Sequence, residues 1–480
     1  MQNTRLIELL RTFKEKELLG LEDLISSKFF NKSEQFIELF AEIKKYFPDF
    51  ESDELTKQNL FTKIFGKKKY NDEAMRTLIS GLMKLAKKYL VQLELEKRFY
   101  DSNILLLTQL QKRAQQTLFE YEYSKAKTLL QEKLFHEREF YLANYLGDFE
   151  LFYSHPLGIK NMAKETELLE GIAYNFENFM LHELMDINYQ MLTRKIKTNY
   201  PPKYLLIDEA KKMLETKDYS DNPALLLKYY SFMCIEDMEK EEYYEKAEKL
   251  FLECYENIST FERASNHLAL INYCMLKISQ GVHKYYEKSF ELYKFALEQG
   301  LYFEHNKYIL PLLFLNIVKC GLYLGDKKWV HNFIFEYKNK ISPEARKEIS
   351  SVSFALYYFT EGEFENALKH INKINTHFTS LKLEIKTLSI KLFYELNYVE
   401  NIYSSVDALK HFMKNTPSLS KHFRVQSANF TKYVIKLVDL REKRKMKELD
   451  YLRKEISEIS EFGLINKKWI LQKISQILKK

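Results

Sequence analysis

Three sets of residues in this 480-residue chain have types and spacings that chemistry can use. The first is "HELMD", where His182, Glu183 and Asp186 form a near miss to H-E-x-x-H. A His and an Asp one helical turn apart can ligate zinc, but a zinc site needs at least a third protein ligand. None is identifiable, and the segment lies in an ordinary amphipathic run, so no metal site is expected. "HEREF", at His136, reads as charge on a helix face. The second set is the four cysteines, Cys234, Cys254, Cys274 and Cys320. No pair has C-x-x-C spacing and none has a partner arrangement for nucleophilic catalysis. Each reads as a small apolar core residue.

The third set is basic. Between Phe61 and Leu90 lie Lys63, Lys67, Lys68, Lys69, Arg76, Lys84, Lys87 and Lys88 against only Asp72 and Glu73, a local net of +6. A helix preceded by a basic turn suits a helix-turn-helix or winged-helix module and contact with a phosphate backbone. The competing reading is a solvated helix face. No Arg/Asn/Gln cluster is poised for base readout. A second basic run, "REKRKMK", covers 441–447. Phosphate loops, dinucleotide fingerprints and nucleophile elbows are absent from the sequence. The expectation is therefore no cofactor and no enzyme.

The elements that would position these residues are helical. Only 12 Gly and 8 Pro occur, too few for a turn-rich β protein. Aromatics make up 15% of the chain, enough apolar surface for a core. The formal net charge of +7 is modest for this length. The scarce, unpaired cysteines suit a reducing cytoplasm. The N-terminal stretch threads charges through its apolar positions, and no 18-residue apolar span occurs, so neither export nor membrane insertion is expected.

Residues 1–100 read as a helical unit of their own. Ser33 is a plausible cap for "EQFIELFAEIKKYF", and Asn71 or Asp72 for the long stripe carrying Leu78, Leu82, Leu85 and Leu90. Residues 101–440 read as helical hairpins, with a possible break at Pro201-Pro202 and a turn at Asn222-Pro223. Residues 441–480 read as closing helices broken at Gly463.

The stretch "FTEGEFENALKHINKI" sharpens the hairpin reading. Gly362, Phe364, Ala367, Ile371 and Ile374 fill the small–aromatic–alanine–apolar series of a tetratricopeptide (TPR) second helix, with Phe354 and Tyr358 as first-helix core positions. The glycine is expected to relieve crowding at the turn, and the alanine to let two helices approach. Weaker copies place their anchors at Ala247, Ser289 and Val330, with another at Ala126. Steps of 37 to 42 residues exceed the roughly 34-residue TPR period. The expected fold is all-α: a right-handed α-solenoid of degenerate TPR-like hairpins after a helical N-terminal unit.

In a TPR-like superhelix the first helices line an inner groove. Counting back from each turn places Tyr229, Phe232, Leu312, Leu315, Lys319, Ile349, Val352, Leu356 and Phe359 there. Such a groove suits an amphipathic helix or apolar peptide, unless a tight superhelix or extra helices bury it. The chain also resembles a bacterial family of uncharacterised helical-repeat proteins, in "FFNKSEQFIELF", "KYNDEAMRTLISGLMKLAKKYL", "GLYLGDKKWVHNFIFEY" and "KKWILQKI" among others. That resemblance rests on spaced apolar and aromatic positions. It implies the architecture and carries over no functional residue.

The leading expectation is a cytoplasmic, non-enzymatic scaffold or adaptor that binds a protein or peptide partner, without membrane contact. The alternative is a nucleic-acid-associated regulator. Its basic N-terminal module would use Lys67, Lys68, Lys69, Arg76, Lys84, Lys87 and Lys88, and its repeats would sense a partner.

Overall fold

The computed structural model describes residues 1–480 except 134, 155–161, 199–200, 303–307, 373, 375, 377, 418, 461–462 and 480, and except the side chains of 133, 197 and 380. The described residues are all-helical: 23 α-helices and no strand. The one β-type pairing among them is an isolated bridge, Ile309 to Ile341. No described helix is long and apolar enough to cross a membrane. The chain forms two compact units, Met1–Glu132 with Ala143–Ile172, and Lys133–Leu142 with Ala173–Lys480.

The first unit begins with α1 (Arg5–Leu10), α2 (Glu15–Ser26), α3 (Glu34–Lys44), α4 (Lys57–Phe65) and α5 (Asp72–Lys97). One apolar core joins all five, from Leu6 through Phe40 and Phe61 to Leu82 and Tyr89. Asn71 Oδ1 accepts the Ala74 N–H and starts α5. Ser33 stands at the N-cap of α3, but its side chain makes no capping bond.

Two mid-helix glycines set how closely these helices meet. A Cβ on Gly20 would lie 2.3 Å from the Tyr89 hydroxyl, so α2 and α5 touch through that ring. A Cβ on Gly81 would lie 2.2 Å from Phe36 Cζ, so α3 seats its ring directly on the α5 backbone. Next come α6 (Phe99–Lys112), α7 (Gln116–Lys133), α8 (Arg138–Ser154) and α9 (Met162–Lys197).

The remaining helices are α10 (Ile207–Thr216), α11 (Pro223–Glu236), α12 (Glu241–Cys254), α13 (Thr260–Ser279), α14 (Lys284–Glu298), α15 (Pro311–Tyr323), α16 (Lys327–Tyr337) and α17 (Pro343–Glu361). They continue as α18 (Phe364–Ile371), α19 (Thr379–Glu395), α20 (Val399–Lys414), α21 (Lys421–Glu442), α22 (Met446–Glu458) and α23 (Lys467–Leu478). From α10 onward each helix packs on the next, and α11 on α13, α15 on α17, α17 on α19 and α21 on α23. Asn222 Oδ1 accepts the Leu225 N–H, with Pro223 in the first turn, so the expected turn there is a helix start. The anchors Ala247, Ser289, Val330 and Ala367 are fully buried.

The turn glycine works for a different reason from the one expected. A Cβ on Gly362 would meet nothing within 4 Å, but its φ is +82°. It is a left-handed helix stop, with the Glu363 N–H donating to Tyr358 O at 2.9 Å. The same closure recurs at Gly325, where the Asp326 N–H donates to Gly321 O at 3.0 Å. Non-glycine residues do the same at Asn397 and Arg444, with φ of 61° and 52°.

Candidate functional site

The first unit holds a cleft of about 780 Å³ between the α2–α3 turn and one face of α5. Four cations line it, Lys32, Arg76, Lys84 and Lys88, and no carboxylate among the described lining residues faces them. Arg76, Ser80, Lys84 and Lys88 follow one another at four-residue steps along α5, so they share a stripe with about 6 Å of rise per step. Asp72 Oδ2 holds Arg76 Nε at 2.6 Å at the start of that stripe. The apolar floor is Phe30, Leu85 and the ring of Phe36 seated on Gly81.

The turn opposite is pinned from inside. Asn31 is nearly buried, and its amide donates to Ile25 O at 2.8 Å and Ser33 O at 2.9 Å. Its Oδ1 accepts the Ser33 N–H at 2.8 Å. This fixes the two preceding aromatics, whose rings meet edge-on at 5.0 Å.

Of the seven basic residues singled out in the sequence, Arg76, Lys84 and Lys88 line this cleft, whereas Lys67, Lys68, Lys69 and Lys87 are exposed outside its lining. Lys32, Phe30 and Asn31 were not among the expected site residues. The signal available there was "KFFNKS", two adjacent aromatics followed by an asparagine turn residue and a lysine.

The second unit contains a buried polar network. Lys228, on α11, is 4% exposed and bridges Asp186 at 2.5 Å and Glu262 at 2.6 Å. Burial works against its charge, but Glu262 and Asp186 outweigh that and raise its pKa. Burial raises the Glu262 carboxyl, opposed by Lys228. Asn222 donates to Asn178 Oδ1 at 2.9 Å and approaches His182 Nε2 at 3.3 Å. Its Oδ1 is taken by Leu225, so the amide faces His182 and Nε2 is the accepting nitrogen. His182 Nδ1 is then the N–H, and it has no partner among the described residues. Burial, then the nearby Lys228 charge, holds this imidazole neutral, its pKa well below the ordinary value.

Glu137 corrects the reading of "HEREF" as surface charge. It is buried, and its Oε1 accepts the Ser259 N–H at 2.5 Å, at the start of α13. Burial pushes its carboxyl up to about 7. Arg138 donates to Glu183 at 3.0 Å. His182, Glu183 and Asp186 are thus each committed to a different partner. No group of three metal-ligating side chains occurs among the described residues. The four cysteines are buried. Burial pushes the thiols of Cys254 and Cys320 to about 11 and Cys274 to about 12, and raises Cys234 as well.

The residues expected to line an inner groove have other surroundings. Tyr229, Phe232, Leu315, Ile349 and Val352 are buried in the core. Leu356 and Phe359 are half-buried, and so are the supposed core residues Phe354 and Tyr358. Lys319 pairs with Glu384 at 2.5 Å. Leu312 alone of the nine is open, at 52% exposure. Phe359 packs against the cluster containing Trp469, Ile470 and Ile474 of α23. Trp469 Nε1 and Lys473 Nζ both donate to Glu395, at 2.8 and 2.7 Å. Lys468 lies 4.6 Å over the Tyr323 ring. No family model, curated protein or solved structure matches the chain.

Proposed function

We propose that this chain is a non-enzymatic nucleic-acid-binding protein. Its N-terminal unit engages the polyanion at the α5 cleft, and its TPR-like hairpins form an α-solenoid that carries a protein partner. The observation behind this reading is the cleft lining: four cations, of which only Arg76 is held by a carboxylate, Asp72 at its rim, and an aromatic floor. A stripe of cations on one helix releases counterions when it meets phosphates, and that supplies affinity without base readout. The test is binding of a labelled nucleic acid to the full chain across a salt series. Affinity should fall steeply with salt, and Lys84→Glu/Lys88→Glu should weaken binding at least tenfold. Salt-independent affinity, or an unaffected variant, refutes the reading.

A protein scaffold without nucleic acid is the second reading, favoured by two exposed side chains. Leu252 and Phe335 are 63% and 64% exposed, and each stands five residues after its anchor, Ala247 or Val330. They belong to second helices, so a partner would sit on the outer face of the hairpins. Capture of one defined partner by the wild type, lost in Leu252→Glu/Phe335→Glu, supports it. Equal capture by both proteins refutes it.

A further inference from the structure

We infer that the α5 cleft takes a single strand, with its phosphates on the α5 stripe and an unstacked base on the Phe29–Phe30 turn. This rests on the nucleic-acid reading above and specifies the ligand. Phe29 is 86% exposed, the most open aromatic among the described residues, and its neighbour Phe30 forms part of the cleft floor. An exposed ring presents a π-face on which any base can stack. Here the turn that carries it is held rigid. The Phe30 N–H donates to Ser27 O at 3.1 Å, the Asn31 N–H to the same carbonyl at 2.9 Å, and the Asn31 side chain ties both ends. A fixed platform loses little freedom when a base stacks on it.

Charge and shape favour a strand over a duplex. Three of the four cations, Arg76, Lys84 and Lys88, lie on one face of α5 with about 12 and 6 Å of rise between them, and Lys32 stands across the cleft on the α2–α3 turn, a spacing that suits one flexible backbone. A duplex keeps its bases inside and offers nothing to a ring beside its backbone. An acidic peptide would satisfy the lysines but leave Phe29 without a planar partner. Base–aromatic stacking is sequence-tolerant, so the expected ligand is single-stranded RNA or DNA of no fixed sequence.

The experiment uses the full chain and three probes: a labelled 20-nucleotide oligothymidylate, the same strand annealed to its complement, and heparin. The single strand should bind at least tenfold more tightly than the duplex at equal salt. Phe29→Ala should lose roughly tenfold of that affinity, leaving duplex and heparin binding unchanged, and Phe29→Trp should retain it. Phe29 is so exposed that its replacement leaves the core intact, which a thermal melt verifies. If duplex and single strand bind alike and Phe29→Ala is neutral, the stacking inference fails while the nucleic-acid reading stands. If heparin matches the single strand, the cleft is a generic anion surface and the inference fails. If no nucleic acid binds at low salt, both fail.

Discussion

Phe36 occupies the volume that a side chain at residue 81 would need: a Cβ on Gly81 would lie 2.2 Å from Phe36 Cζ. This contact joins α3 to α5 and forms the floor of the cleft. Gly81→Ala must displace the ring. It should destabilise the N-terminal unit by about 1–3 kcal/mol through overpacking and weaken ligand binding with it. The double variant Gly81→Ala/Phe36→Leu should recover part of the stability. Chemical denaturation measures both, and an unchanged midpoint in Gly81→Ala would show that the seat is not tight.

Lys228 neutralises two carboxylates from other helices, Asp186 and Glu262. Lys228→Met leaves the buried Glu262 without its counter-charge, and should cost about 3–5 kcal/mol at neutral pH. The Glu262 carboxyl would then rise further above its ordinary range, so the variant should be more stable at pH 5 than at pH 8. Lys228→Met/Glu262→Gln should recover most of the loss. Urea titrations of the three proteins at both pH values test this.

Glu137 gives the wild type its own pH dependence. Burial raises its folded-state pKa to about 7, from about 4.5 for a free glutamate. Between those values the folded chain holds a proton that the unfolded chain has released. Stability from this group is therefore full below the unfolded pKa and is lost as pH rises through about 7. Glu262, which burial also raises, adds in the same direction. Glu137→Gln keeps an acceptor for the Ser259 N–H and removes one titration, so the fall in stability from pH 5 to pH 8 should shrink. An identical slope in both proteins would place the titration elsewhere.

The left-handed stops distinguish glycine from its substitutes. Gly362 has φ +82° with open space around it, so Gly362→Ala should cost about 1 kcal/mol through backbone strain alone. Arg444 adopts φ 52° at the equivalent stop before α22. Arg444→Gly should be neutral or stabilising by up to about 1 kcal/mol. Thermal melts of the two variants should move in opposite directions.

Local chemistry made much of the helical layout readable. Few glycines and prolines, apolar residues at three- and four-residue steps, Asn71 before α5 and Asn222-Pro223 before α11 all act within one turn of chain, where sequence and structure are close to the same thing. The burial of Ala247, Ser289, Val330 and Ala367 was legible for the same reason. A helix that must lie close to another needs a small residue on that face. Three of the cleft cations were visible as a run of like charge on one helix.

Which face of a helix meets which neighbour was decided only in the folded chain. Periodicity marks an apolar face but not what covers it. α11 is buried almost all round, with Leu225, Leu227, Lys228, Tyr229 and Phe232 all inside. Counting along it therefore cannot separate core from groove. α23 follows Ile349 by more than a hundred residues, yet its Trp469 and Lys473 meet Glu395 on α19. Lys228 and Glu137 are ordinary surface types by composition, and their burial is settled by partners 34 and 122 residues away. An ionisable group enters the core only where tertiary structure brings it a counter-charge or a backbone donor. That pairing is a property of three-dimensional neighbours, not of chain spacing.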